Sequence, residues 1–133
     1  MKQKKGKFKN ATQNNLSNRV PGGGLYSTSG DILRFGNALL DNTLISDETL
    51  QLMIQHHSLE KVKNGYGFGF YLYGKQPKEG SIYGHSDAQT GSSSQLFVIP
   101  SLKTVIVVSN TSGAGTEVST IAGQLIDISQ QKE

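Results

Sequence analysis

The chain contains no cysteine, which excludes a disulfide framework and a thiolate metal site and leaves the redox compartment open. Long apolar runs are missing too. The longest, "LFVI" at 96–99 and "VIVV" at 105–108, fall far short of the ~20 residues that cross a bilayer. The lysines near the N-terminus are followed by Asn and Gln instead of an apolar segment, so no signal-peptide pattern is present. Acidic residues are absent from the first nine positions, which hold Lys2, Lys4, Lys5, Lys7 and Lys9. The formal charge of +3 is therefore concentrated in a tail. From residue 10 onward eight basic residues face ten acidic ones, a net of −2. That body gives no electrostatic footprint for nucleic acid, and a basic tail attracts polyanions weakly and with strong salt dependence.

The composition, 35% hydrophobic and 17% charged over 133 residues, fits one domain with a modest core. Residues 1–20, rich in Lys, Asn and Gln, read as a solvated tail or loop remnant. Residues 21–133 read as the folded part. There "PGGGLYSTSGDILRFGNALLDN" supplies a Gly-rich turn, Ser/Thr caps and Asp31 in a first turn. Ile32, Phe35 and Leu39 follow at helical spacing, which predicts a helix over 29–41. A second helix is expected from the cap Ser46, with Leu50, Met53 and Ile54 on one face, to about His56-His57. The period then becomes two. Tyr66, Phe68, Phe70 and Leu72 alternate with Gly67, Gly69, Tyr71 and Tyr73, the pattern of a strand. After "GKQPKEG" turns the chain, "SSSQLFVIP" and "TVIVVSN" flank a tight turn at 100–103 and form a hairpin. Val118, Ile121, Ala122, Leu125 and Ile126 mark a C-terminal helix whose stripe covers the sheet. The fold class is α+β: a small antiparallel sheet with a C-terminal helix and a two-helix segment.

The stretch "IYGHSDAQTG" at 82–91 places a histidine and a serine between glycines ahead of an apolar strand. Read alone, it is either a site edge or a hairpin turn. In the order "GGGLYSTSGDILRFGNALL", "LISDETLQLM", "YGFGFYLY", "GHSDAQTG", "LFVIPSLKTVIVVSN" and a closing amphipathic helix, the chain resembles the C-terminal half of serine β-lactamase-like hydrolases. That family includes class C β-lactamases, D-alanyl-D-alanine carboxypeptidases and esterases. The resemblance spans roughly residues 20–130 and rests on the order of several motifs. It implies an incomplete β-lactamase-like fold, a small-molecule or peptide substrate, no cofactor, and a cell-envelope or secreted setting.

Site roles follow from the resemblance. His85-Ser86-Asp87 matches the family's third motif, Lys-Thr-Gly or a His-x-Gly variant, on the strand beside the acyl pocket. It implies catalytic roles for His85, Ser86 and Ala88, with the Ala88 main-chain N–H as half of an oxyanion hole, and substrate contact at Asp87 and Gly91. Asp87 departs from the family glycine and sets a carboxylate where an oxyanion would develop.

The family nucleophile motif, Ser-x-x-Lys, is not found ahead of the Gly-rich segment, and Tyr-x-Asn occurs nowhere. Ser58-Leu59-Glu60-Lys61 and Ser129-Gln130-Gln131-Lys132 have the first spacing but the wrong order. With 15 serines and 11 lysines, about one such match arises by chance. The expectation is a chain inactive alone, completed by a missing N-terminal half or self-associating into a homo-oligomer through an open sheet edge at 104–108. Other signals are weaker. The Gly-rich turn lacks the Lys-Ser/Thr pair of a phosphate loop. His56-His57 point to different helix faces without an acidic partner at ligand spacing, so no metal is expected. The alternating aromatics are read as core in preference to a base-stacking surface.

Overall fold

A strand that is apolar on both of its faces needs cover on both, and Leu96-Phe97-Val98-Ile99 has it. The computed structural model describes residues 2–4, 7–13, 15, 17–20, 22–57, 65–73 and 82–131. In chain order the elements are a ribbon of β1 (Lys2–Lys4) and β2 (Lys7–Lys9), then helices α1 (Ser29–Leu40) and α2 (Asp47–Met53). Strands β3 (Tyr71–Tyr73), β4 (Ile82–Gln89), β5 (Ser92–Ile99) and β6 (Thr104–Asn110) follow, and helix α3 (Gly115–Gln130) closes the chain. The four later strands form an antiparallel sheet in the order β3-β4-β5-β6. The fold is α+β, as its sequence pattern implies.

Leu96 and Val98 join Leu39, Leu50, Phe70 and Tyr83 on one face of the sheet. Phe97 and Ile99 join Ile106 and Ala122 on the other. Helix α1 lies over β5 and β6 on the first face, and α3 over the same strands on the second. Gly36 permits the close approach of α1, because a Cβ there would overlap the Val105 side chain. Leu39 and Val98 are 1% and 0% exposed, and burying each such side chain contributes ~1.5–3 kcal/mol before entropy is charged.

The helix starts are set by their caps. Thr28 Oγ1 accepts from the Asp31 N–H and donates to the Asp31 carboxylate, while Ser46 Oγ accepts from the Thr49 N–H. The Thr28 hydroxyl, and Arg34 after it, hold the Asp31 carboxyl below its ordinary range. Helix α2 stops at Met53, short of the expected His56-His57. Its last carbonyls are taken by partners from outside the helix: Phe68 N–H donates to Met53 O at 2.8 Å and the His57 ring nitrogen Nε2 donates to Leu52 O at 2.8 Å.

Three further expectations change. "YGFGFYLY" is not one strand, because Gly69, at φ +82°, turns the chain. Gly67 N–H donates to Phe70 O and Leu72 N–H to Gly65 O, so 65–67 runs back along 70–72. Phe70 and Leu72 reach the core, whereas Phe68 is half exposed and stacks on the His57 ring. On the helices, Phe35 is 41% exposed, the buried face of α1 being Ile32, Gly36 and Leu39. On α3 the stripe against the sheet is Val118, Ala122 and Ile126, while Ile121 and Leu125 join Ile128 on a second, exposed stripe. Finally, the N-terminal stretch read as an irregular tail carries the β1/β2 ribbon, in which Gln3 faces Phe8. That ribbon pairs with itself and leaves β6 as an edge of the sheet among the described residues. The turn expected over "GKQPKEG" lies outside the described residues.

Tyr83 shows the balance of the core. Its ring is 1% exposed and meets Phe70 edge-on at 5.4 Å, but its hydroxyl has no hydrogen-bond partner among the described residues. Burial, helped by the charge of Asp47, pushes its pKa from 10.0 up to about 12. The folded state therefore holds the proton more tightly than the unfolded chain. The contribution is complete below the unfolded pKa of ~10 and is lost as pH rises toward about 12. Tyr83→Phe is expected to raise stability at neutral pH by ~1 kcal/mol, the cost of an unpaired buried hydroxyl, and to flatten the loss between these two values. Urea unfolding at a series of alkaline pH values measures both; a destabilised variant with unchanged slope would contradict the account.

Candidate functional site

The register of β4 on β5 decides which residues of the His-Ser-Asp stretch can act together. His85 lies opposite Leu96 and Asp87 opposite Ser94, on the α1 face. Ser86 lies opposite Gln95 and Ala88 opposite Ser93, on the α3 face. The side chains of the expected site are thus divided between the two faces, and only main-chain groups of the strand edge are common to both. Glycine at 84 is required by the sheet, since a Cβ would overlap the Leu96 carbonyl. Beyond Gly84 the edge of β4 away from β5 has no described partner strand, because β3 ends with Tyr71 opposite Gly84.

On this edge His85 is half-buried. Its Nε2 shares a hydrogen bond of 3.0 Å with the Tyr66 hydroxyl. The Tyr71 ring lies 5.1 Å from the imidazole and the Tyr66 ring 6.0 Å, nearly perpendicular. The Tyr73 hydroxyl, on the same α3 face as Ser86, accepts from Gln95 Nε2 at 3.0 Å. Burial raises the Tyr73 pKa above its ordinary value, partly countered by the Gln95 bond. Ser86 therefore lies on the α3 face, apart from the His85 and Asp87 side chains. The Ala88 N–H donates to Asp87 Oδ1 at 2.7 Å, so the donor expected to meet an oxyanion is occupied by the neighbouring carboxylate. Gly91 sits in the two-residue turn between β4 and β5 at φ +89°, a left-handed conformation that accounts for glycine there.

A cavity of about 630 Å³ opens on the α1 face, lined in part by Tyr26, Ser27, Asp87, Gln89, Ser94 and Asn110. Neutral hydroxyl and amide groups dominate this wall, and Asp87 is its charged member. Asn110, at the rim, ties the end of β6 to the start of α3. Its Oδ1 accepts from Ser93 Oγ and from the N–H groups of Ser112 and Gly113, and its Nδ2 donates to Ala114 O. Tyr66, Tyr73, Gln95 and Asn110 were not singled out by sequence reasoning. The alternation that carries Tyr66 and Tyr73 is also the pattern of an ordinary core strand, and Gln95 and Asn110 carry no local signal. No group of three or more His, Cys, Asp or Glu side chains able to hold a metal occurs among the described residues. Ser58 and Lys61 lie outside the described residues. Ser129 bonds Ile126 O within α3.

A four-stranded antiparallel sheet with helices on both faces is the arrangement of part of a β-lactamase-like fold. The chain belongs to the β-lactamase family, whose family model, Beta-lactamase, matches residues 1–128. Among solved structures it is similar to a penicillin binding protein from Bacillus halodurans, at 19% identity and a TM-score of 0.60 over 74% of this chain and 30% of that one. It is also similar to a D-stereospecific amidohydrolase from Streptomyces sp., at 27% identity and a TM-score of 0.50 over 65% of this chain and 26% of that one. The chain thus spans less than a third of either structure. A search of curated proteins finds no match.

The Asp87–Ala88 contact is testable on the chain itself. Asp87→Ala removes the acceptor and leaves the strand, so Ala88 amide exchange, corrected for its intrinsic rate, is expected to accelerate at least about fivefold, the factor held by ~1 kcal/mol of hydrogen bond. Stability should change little because Asp87 is exposed. An unchanged Ala88 rate would show that the carboxylate does not occupy this donor in solution.

Proposed function

We propose that this chain provides the sheet wall of an acyl-serine hydrolase site acting on β-lactam, D-amino-acid peptide or ester substrates. The supporting observation is the β4 edge from His85 to Ala88, which has no described partner strand and presents an imidazole and a main-chain N–H. In such a reaction a serine Oγ attacks the substrate carbonyl and a tetrahedral oxyanion forms. The C–N or C–O bond then breaks as the leaving group takes a proton, and water hydrolyses the acyl-serine. His85 orients substrate by hydrogen bonding, and the Ala88 N–H serves the oxyanion once Asp87 releases it. Gly91 supports the wall through the turn, and Ser86 lies on its α3 face. The names of the two similar structures, a penicillin binding protein and a D-stereospecific amidohydrolase, agree with this substrate range.

The nucleophile and its base are not supplied by these residues, because no Ser-x-x-Lys precedes the Gly-rich segment and no Tyr-x-Asn occurs. The chain alone is expected to leave a chromogenic β-lactam and an activated ester unhydrolysed at rates above buffer, and to show no acyl adduct by intact-mass spectrometry after penicillin treatment. A stoichiometric adduct on any serine of this chain would overturn the division of labour.

A second reading, self-association, is favoured by the edge strand β6. Between Thr104 and Asn110 it carries no charge, no proline and several β-branched residues, so it lacks the usual devices that prevent strands from pairing. The occupant proposed is a second copy running antiparallel about Val107. That register sets Ile106 opposite the other copy's Val108, and Lys103 opposite Thr111, with no like charges facing. A stable interface buries well over ~1,000 Å² in total. Light scattering coupled to gel filtration is expected to give a dimer, and Val107→Lys a monomer of unchanged helix content. A monomeric wild-type chain at high concentration would remove this reading.

A further inference from the structure

The "GYGFGF" stretch at 65–70 is the motif whose role is left over once the fold is accounted for, and its main chain is fixed at several points. His57 N–H donates to Tyr66 O at 2.9 Å, Phe68 N–H to Met53 O at 2.8 Å, Gly67 N–H to Phe70 O at 2.8 Å, and Leu72 N–H to Gly65 O at 2.9 Å. Tyr66 also bridges Tyr71. A Cβ on Gly67 would overlap the Met53 carbonyl, so glycine is what lets this turn lie against the end of α2. The Tyr66 ring is fixed too, edge-on to Tyr71 at 4.7 Å and 80°. A phenol so held brings its hydroxyl to a partner without a further entropic cost. Among the described residues it reaches His85 Nε2, at 3.0 Å.

We propose that Tyr66 is the positioning residue of His85: its hydroxyl donates to Nε2, fixes the imidazole as the Nδ1–H tautomer, and makes His85 a neutral, oriented donor. The direction follows from the chemistry of the pair. The phenol, with a pKa of ~10, is a far better donor than a neutral imidazole N–H, and the imidazole nitrogen is a far better acceptor than the phenolic oxygen. A histidine whose Nε2 accepts must carry its proton on Nδ1. The use of that donor toward a substrate rests on the hydrolase reading above, whereas the tautomer is a property of this chain alone.

The experiment reads the two imidazole nitrogens directly. In the ¹⁵N-labelled chain, a protonated and an unprotonated ring nitrogen resonate far apart, and a His85→Gln variant identifies the His85 signals by their loss. At a pH about two units above the usual imidazole pKa of ~6.5, the wild type is expected to show His85 with Nε2 unprotonated and Nδ1 protonated. Tyr66→Phe keeps the ring and every main-chain bond and deletes only the hydroxyl. It should reverse the pattern toward the Nε2–H form that a free imidazole prefers, with the His57 signals unmoved as the control for folding. Nε2–H already in the wild type overturns the proposal whatever the variant does, and so does an identical His85 pattern in both proteins. In a complete enzyme carrying this wall, a fixed tautomer without turnover would retire the hydrolase reading and leave the role of Tyr66 intact. Turnover without a fixed tautomer would retire Tyr66 and leave the reaction.

Discussion

Strand β5 is the constraint from which the rest of the structure follows. Its residues from Gln95 to Ile99 are buried on both faces, so it must be an interior strand with a layer of helix above and below it. That requirement places α1 and α3 on opposite faces and fixes β4 and β6 on its two sides. The register cannot slip by one residue, because Leu96 and Val98 would exchange faces with Phe97 and Ile99. Since β4 is read in register against β5, the positions of His85 and Ala88 are set by the packing of Leu96 and Phe97. The edge of the candidate site is an extension of the core.

This coupling explains what was legible in the sequence. The helix starts carried explicit chemistry in Thr28 and Ser46, and both caps form. The apolar run and the tight turn at 100–103 likewise announced the β5/β6 hairpin, where Lys103 takes the left-handed conformation. The stretch 65–73 failed because period two is shared by a strand and by two short antiparallel arms around a glycine turn. Only the long-range bonds to Met53 and His57 separate them, and those are tertiary. The helix stripes failed more gently. Phe35, Ile121 and Leu125 have the right period, but a helix of apolar residues wider than its contact offers more than one stripe, and the sheet selects one.

The site was legible in position and less so in wiring. His85, Asp87 and Ala88 could be singled out from a resemblance that rests on motif order. Strand alternation then divides Ser86 from His85. The partners that meet these residues, Tyr66 for His85 and Asn110 for the loop into α3, are distant in the chain. Asn110 bonds Ser93 across the β5/β6 pair and tethers residues 112–114, so one side chain ties the hairpin to the start of the closing helix. Such a residue is invisible to local pattern because its value lies in four simultaneous partners.

Asp87 is where structure and chemistry pull hardest against each other. An oxyanion-hole donor contributes ~2.7–4 kcal/mol to an acyl-transfer transition state, whereas a charge-assisted hydrogen bond to a carboxylate contributes ~1.5–3 kcal/mol. If the Ala88 N–H had to break the second to make the first, most of its catalytic worth would be cancelled. Exposure decides the comparison. Asp87 faces solvent, so water stabilises its carboxylate nearly as well as Ala88 does, and solvent screening weakens its repulsion of a developing negative charge. Displacing it then costs ~1 kcal/mol or less, and under the proposed hydrolase function the aspartate would act as a brake on acylation instead of a block. Were the cleft closed by further chain over β4, the same carboxylate would lose its water and the balance would reverse. Under the proposed function, the position of Asp87 thus ties the reactivity of this wall to how completely the rest of a site covers it.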